Sequence, residues 1–176
     1  MIGGLSLGGY VAFALFRRAP ERFRALVLAD TRAEADAAEA RASRTRLIAL
    51  AGTDGIGAIA DDFAPKLLGT TTKETNPGLL ERVRQIITTN QASAVQAALA
   101  AMMRREDSTA LLPAITVPTL VIVGDEDQLT PPALSASMRA ALPRASLVVI
   151  PKAGHLPNLE QPEAFNAALL TFLGGL

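Results

Sequence analysis

A pentapeptide at the start of the chain, Gly4-Leu5-Ser6-Leu7-Gly8, restricts its fold more than any other segment. Gly-x-Ser-x-Gly is the pattern of a strand that ends in a sharp turn at the serine and passes directly into a helix. Glycine is expected on both sides because the turn is strained and a side chain there would clash. The serine hydroxyl is then left exposed at the top of a sheet. A whole strand, with more sheet before it, ordinarily leads into such a turn, whereas here only Met1-Ile2-Gly3 precede it. The same residues therefore predict a nucleophilic serine and a fold that lacks its front half.

The chain has 176 residues, enough for one domain with a real core. Hydrophobic residues make up 49% and charged residues 19%, which suits a globular chain rather than a disordered one. Lys+Arg and Asp+Glu both number 17, so nothing recommends a nucleic-acid or anionic-membrane partner. There is no cysteine and one histidine, which argues against disulfides, thiolate metal sites and a histidine-based zinc site. No apolar run approaches the ~20 residues of a membrane span. No basic region and cleavage site of a signal peptide stand at the N-terminus, so the cytoplasm is the expected location.

Three apolar runs read as buried parallel strands: Ala25 to Ala29, Thr119 to Val123 and Leu147 to Ile150. Each is nearly continuous rather than alternating, which predicts cover on both faces. Helical patterns lie between them. From Leu7 to Arg18 apolar residues run round most of the helix, as in a central buried one. Thr130-Pro131-Pro132 starts a helix that stops near Pro143, and Gln161-Pro162-Glu163 opens the last, with Phe165, Ala168, Leu169 and Phe172 on one face. Strand–helix–strand alternation of this length predicts an α/β fold with right-handed crossovers. The stretch from Thr31 to Leu112 holds no convincing strand. Thr31 to Arg46 reads as a solvated helix, and two further helical patterns follow Pro77 and Ser93. The expected organisation is a core of residues 1–30 and 113–176 with a helical insertion, residues 31–112.

A serine hydroxyl needs a base to take its proton, and His155 is the only histidine. It follows the last strand in Ala153-Gly154-His155. An imidazole in that role needs a carboxylate to set its tautomer and stabilise its charged form. Gly124-Asp125-Glu126-Asp127, after the preceding strand, offers candidates. Asp127 is preferred, because Asp125 directly follows Gly124 and is expected to cap the loop locally. Asp30, at the end of an earlier strand, is the alternative acid. All these positions fall at C-terminal strand ends, where open α/β sheets place their sites.

The segments Gly4 to Gly9, Gly124-x-x-Asp127 with Thr130-Pro131-Pro132, and Ala153-Gly154-His155 through Pro162 resemble the α/β-hydrolase superfamily. The closest flavour is the esterase and 3-oxoadipate enol-lactonase-like group. The resemblance covers the whole chain but only the second half of a full member. It implies Ser6 as nucleophile, Asp127 as acid, His155 as base, and residues 31–112 as a helical cap. The serine argues against the dehalogenase branch, whose nucleophile is an aspartate.

The expected activity is therefore hydrolysis of small carboxylic esters or lactones through an acyl-enzyme, with no metal or organic cofactor. Leu7 N–H is the expected oxyanion donor. Full members carry a second donor on a loop for which this chain has no equivalent, and losing one such donor costs ~100–1,000-fold in turnover. Phe63, Leu67, Met102 and Met103 are candidate pocket residues, with core packing of the cap as their alternative role. The rival reading is a catalytically impaired or non-catalytic binding or assembly module that keeps these residues by descent. An open sheet edge beside the serine strand would favour self-association. The same residues also suit C–C bond hydrolysis, acyl transfer and perhydrolysis.

Overall fold

Parallel strands cannot be joined by tight turns, so each pair needs a crossover. The computed structural model describes residues 1–176. Strands β1 (Ile2–Leu5), β2 (Leu26–Ala29), β3 (Thr119–Gly124) and β4 (Ala145–Ile150) form one sheet in that order, every neighbouring pair parallel. Helix α1 (Leu7–Arg18) links β1 to β2. Helices α2 (Ala38–Thr53), α3 (Gly55–Leu67), α4 (Thr70–Thr75), α5 (Pro77–Thr88) and α6 (Ala92–Met103) intervene before β3. Helix α7 (Pro132–Ala141) links β3 to β4, and α8 (Pro157–Glu160) and α9 (Pro162–Gly174) follow.

Alternate side chains of each central strand face opposite ways, and both sides are covered. Leu26, Leu28 and Val121 pack with Phe13 and Phe16 of α1 and Met138 of α7. Val27, Ala29, Leu120 and Ile122 pack on the other side against Phe165, Ala168, Leu169 and Phe172 of α9. That is why β2 and β3 read as continuous apolar runs. β4 departs from the expectation of full cover: it is an edge strand, and Val149 is 45% exposed. Helix α1 departs too. It buries Gly9, Ala12, Phe13 and Phe16 against the sheet but leaves Val11 and Leu15 exposed, so only one side of it is in the core.

The helices between β2 and β3 pack largely on one another. Leu47 and Ala51 of α2 meet Ile59 of α3 and Leu99 of α6. A second cluster holds Ala64, Leu67, Leu68, Leu79 and Val83, with Leu129 and Leu156 from the sheet-end loops packed against it. The helix expected from Thr31 begins only at Ala38. Residues 31–37 are irregular, with a bend at Ala33 and Glu34, and are held by longer-range bonds. Thr31 Oγ1 donates to Ser6 O, Arg105 Nη2 donates to Glu34 O, and Ala35 N–H donates to Asp107 Oδ2.

The passage from β1 into α1 is tight at defined points. Ser6 has φ 51° and ψ −113°, a left-handed backbone that non-glycine residues rarely adopt. Its N–H donates to Ala29 O at 2.8 Å, so the turn stays anchored to β2. A Cβ on Gly4 would lie 2.1 Å from Gly8 C, and one on Gly9 would lie 2.4 Å from Thr31 Oγ1. A Cβ on Gly8 would meet nothing. The close approaches therefore fall on Gly4 and Gly9 rather than on both glycines of the pentapeptide. Gly4→Ala should cost roughly 3 kcal/mol or more by forcing backbone atoms apart. Gly8→Ala should stay within about 1 kcal/mol of the parent, on the stabilising side, because alanine is the better helix residue. Urea unfolding of both variants checks this contrast; equal losses would contradict it.

Candidate active site

Parallel topology brings the C-terminal ends of all four strands to one edge. Ser6 follows β1, Asp30 follows β2, Asp127 lies three residues beyond β3, and His155 lies in the loop after β4.

The acidic cluster divides into three roles. Asp125 Oδ1 accepts the N–H of Ala153 at 3.3 Å, which ties the β3 loop to the β4 loop rather than capping it locally as expected. Glu126 accepts the N–H of Thr71 at 2.8 Å and its hydroxyl, which ties the β3 loop to α4. Asp127 alone reaches the imidazole, with its Oδ2 2.8 Å from His155 Nδ1. Its Oδ1 accepts the N–H groups of Leu129 and Thr130 at 2.8 and 3.0 Å, and Thr130 Oγ1 donates to Oδ2. Asp127 and His155 are both buried. Burial by itself disfavours the Asp127 carboxylate, but the bonds from His155 and Thr130 outweigh it and hold the acid below its ordinary range.

The histidine loop is fastened from several sides. His155 N–H donates to Leu67 O at 3.0 Å. The Glu160 carboxylate accepts N–H groups from Gly154, Leu156 and, across the α3–α4 junction, Gly69, at 2.8, 3.2 and 2.8 Å. With Nδ1 committed to Asp127, His155 Nε2 is the free ring nitrogen.

Ser6 and His155 line one cavity of about 410 Å³. No hydrogen bond joins them in this structure, and such bonds are often loose without substrate. Leu7 also lines the cavity, and its N–H, at the first position of α1, has no acceptor in the chain. Of the four candidate pocket residues, Phe63 and Met102 face the cavity. Leu67 instead sits in the cluster with Leu79 and Val83, and Met103 does not line the cavity. Arg32, Asp36 and Arg44, which sequence reasoning did not select, also line it. They lie in the stretch read as a solvated helix. For Arg32 alone the usable signal was its position just after the C-terminal end of β2.

Asp30 is closer to the chemistry than an alternative acid need be. It is fully buried with φ 44°, and its Oδ1 accepts the N–H of Gly124 at 2.9 Å. Its Oδ2 has no partner. Donor atoms of Asp30, Asp127 and His155 all lie within 4.8 Å of one another, so these are the residues that could gather round a cation. Two of the three are already bonded to each other. Burial, opposed by the Gly124 bond and reinforced by the nearby Asp127 charge, pushes Asp30 up to about 9. At neutral pH the group is then a neutral acid beside a charged one.

This arrangement defines an α/β chain with a serine, a histidine–aspartate pair and an apolar-walled cavity at the carboxyl edge of a parallel sheet. The family model of the alpha/beta hydrolase family matches residues 2–168, and the chain belongs to that family. It is 34% identical to a pimeloyl-[acyl-carrier protein] methyl ester esterase of Neisseria meningitidis, over 98% of this chain and 69% of that protein. It is 29% identical to 3-oxoadipate enol-lactonase 2 of Acinetobacter baylyi, over 94% of this chain and 60% of that one. Among solved structures, a malate-bound thermophilic esterase from Thermogutta terrifontis superposes with TM-score 0.94 at 43% identity. The enol-lactonase from Burkholderia xenovorans superposes with TM-score 0.87 at 28% identity. Each match covers 98% of this chain, and the chain spans 64% of each of those structures.

Asp30 has a measurable consequence. Its folded value of about 9 lies well above the ~3.9 of an unfolded aspartate. Between these limits unfolding releases a proton, so rising pH destabilises the fold through this group by up to about 1.4 kcal/mol per pH unit. Asp127, shifted the other way, contributes stability that is lost only as pH falls through its lowered value. Asp30→Asn, which mimics the protonated acid, should flatten the decline in urea-unfolding stability between pH 5 and 8. An unchanged slope would show that Asp30 ionises freely in the fold.

Proposed function

We propose that this chain carries the reacting groups of a serine hydrolase of small carboxylic esters or lactones. Ser6 Oγ attacks the substrate carbonyl carbon while His155 Nε2 takes its proton. Asp127 holds the ring through Nδ1 and stabilises the imidazolium. The oxyanion of the tetrahedral intermediate meets Leu7 N–H at the start of α1, where unpaired N–H groups favour negative charge. Collapse breaks the carbonyl–alkoxy bond, and His155 returns the proton to the leaving oxygen. Water, deprotonated by His155, then attacks the acyl-serine and releases the acid with Ser6 restored.

The observation that supports this reading best is the buried Asp127–His155 pair, whose ring shares a cavity with Ser6 at the strand ends. Relatives named as an esterase and an enol-lactonase agree with it. No helix is long and apolar enough to cross a membrane. A fluorophosphonate probe should form one adduct, on Ser6, that disappears in Ser6→Ala and His155→Ala. Asp127→Asn should slow ester turnover by about 1,000–10,000-fold through the wrong tautomer. No adduct on a soluble, folded chain would overturn the reading.

A role in assembly has its own support. β1 pairs with β2 on one side only, and Val11 and Leu15 are exposed on the adjoining helix. Such an edge is a template for another strand. Sedimentation velocity should show a mass that rises with concentration and falls back in Leu15→Glu. A concentration-independent monomer would exclude self-association through this face.

A further inference from the structure

A second cavity of about 410 Å³ adjoins the catalytic one, and Tyr10 lines both. It forms where α1 and α6 end. Arg17 and Arg18 close the last turn of α1, and Arg104 and Arg105 follow α6. All four arginines line this cavity, and Glu106 is the one acid that does. The whole chain has equal numbers of acidic and basic residues, so the excess of arginine is local.

Arginines at helix C-termini have an ordinary explanation, since each such end carries the equivalent of about half a negative charge. Two ends offset about one arginine. Glu106 lies 3.4 Å from Arg17 Nε, and Asp36 is shared between Arg105 and Arg44. The nearby Asp107 carboxylate accepts the N–H groups of Ala35 and Thr109. Arg18 and Arg104 are left with no ion pair and no side-chain hydrogen bond. Unspent donors lie deeper in the same wall. Ser108 is buried, and its Oγ accepts Arg17 Nη2 at 2.9 Å while its own proton has no acceptor. The Arg105 side chain is 10% exposed, and its buried Nε has no partner. Its guanidinium carbon lies 4.1 Å from the centre of the Tyr10 ring. A buried donor left unpaired is costly, and a bound acceptor removes that cost.

We propose that this second cavity binds a phosphate dianion, free or as the monoester of a small molecule, through Arg17, Arg18, Arg104 and the Ser108 hydroxyl. Phosphate oxygens accept from several guanidinium forks at once, and two charges on the ligand answer the two arginines that have no partner. The volume is that of a small-molecule site, and Ala14 and Ala33 line it where an organic part would lie. The proposal does not rest on the hydrolase reading, because neither Ser6 nor His155 lines this cavity. The two cavities share Tyr10 and meet across the Arg105–Asp36 pair, since Asp36 lines the catalytic one.

Tyr10 is the only tyrosine and the chain has no tryptophan, so intrinsic fluorescence reports on this wall. The 176-residue chain is titrated with inorganic phosphate and with glycerol 3-phosphate at constant ionic strength. At least one should give a saturable change with Kd below about 1 mM, repeated by calorimetry. Arg18→Gln and Arg104→Gln should each weaken binding roughly 10-fold. Arg139→Gln, which removes one positive charge from α7, should leave it unchanged. Arg105 is kept intact because its bonds to Asp36 and Glu34 O hold the fold, and thermal melts establish that each variant is folded. Tighter binding of glycerol 3-phosphate assigns the site to a monoester, and equal or tighter binding of inorganic phosphate assigns it to the free ion. No saturable binding up to about 10 mM overturns the proposal. So does an affinity unchanged in Arg18→Gln and Arg104→Gln, or one that Arg139→Gln weakens equally.

Discussion

Direct backbone contact between the loops that follow β3 and β4 is the constraint on which the site depends. A Cβ on Gly124 would lie 2.1 Å from Gly154 O, and one on Gly154 would lie 2.3 Å from Gly69 N. Three segments thus stack with no side chain between them: the acid loop, the histidine loop and the α3–α4 junction. At that separation Asp127 meets His155 Nδ1 at 2.8 Å. A larger residue at either glycine would push these segments apart and lengthen the bond between the carboxylate and the imidazole. Glu126 and Glu160 then fasten the helical layer to the same stack by accepting N–H groups from Thr71, Gly69 and Gly154.

Three buried aspartates near the cavity show how burial has different outcomes. Asp127 stays ionised because four donors converge on its carboxylate. Asp36 is also pushed towards neutrality by burial, yet two arginines return it to the charged state. Asp30 has a single backbone donor and an acidic neighbour, so it retains its proton. The site therefore presents one anion to the imidazole rather than two.

Much of this was legible in the residue order. The strained turn at Ser6 follows from Gly4 and the strand–helix switch around it. His155 is the only histidine, and the strands at Leu26, Thr119 and Ala145 show as apolar runs. The Thr31 segment was misread as helix because its charges suit a solvated face. Its actual course is set by Ser6, Asp107 and Arg105, which lie far from it in the chain. Leu67 and Met103 were chosen as pocket residues on hydrophobicity, which does not say which cavity a side chain faces. The exposure of Val11 and Val149 was equally unreadable, since periodicity reports an apolar surface and not whether another element covers it.

By itself the sequence determined what short-range stereochemistry controls: the strand–helix alternation of the core, the turn at Ser6, and a serine and a single histidine placed after strands. Tertiary structure alone decided which of four candidate carboxylates touches the imidazole, that Asp30 keeps its proton, and that Arg18 and Arg104 line one cavity. The physical reason is range. Backbone preference and periodicity act over a few residues, whereas desolvation and ion pairing depend on neighbours such as Asp30 and Gly124, 94 residues apart in the chain and 2.9 Å apart in the fold.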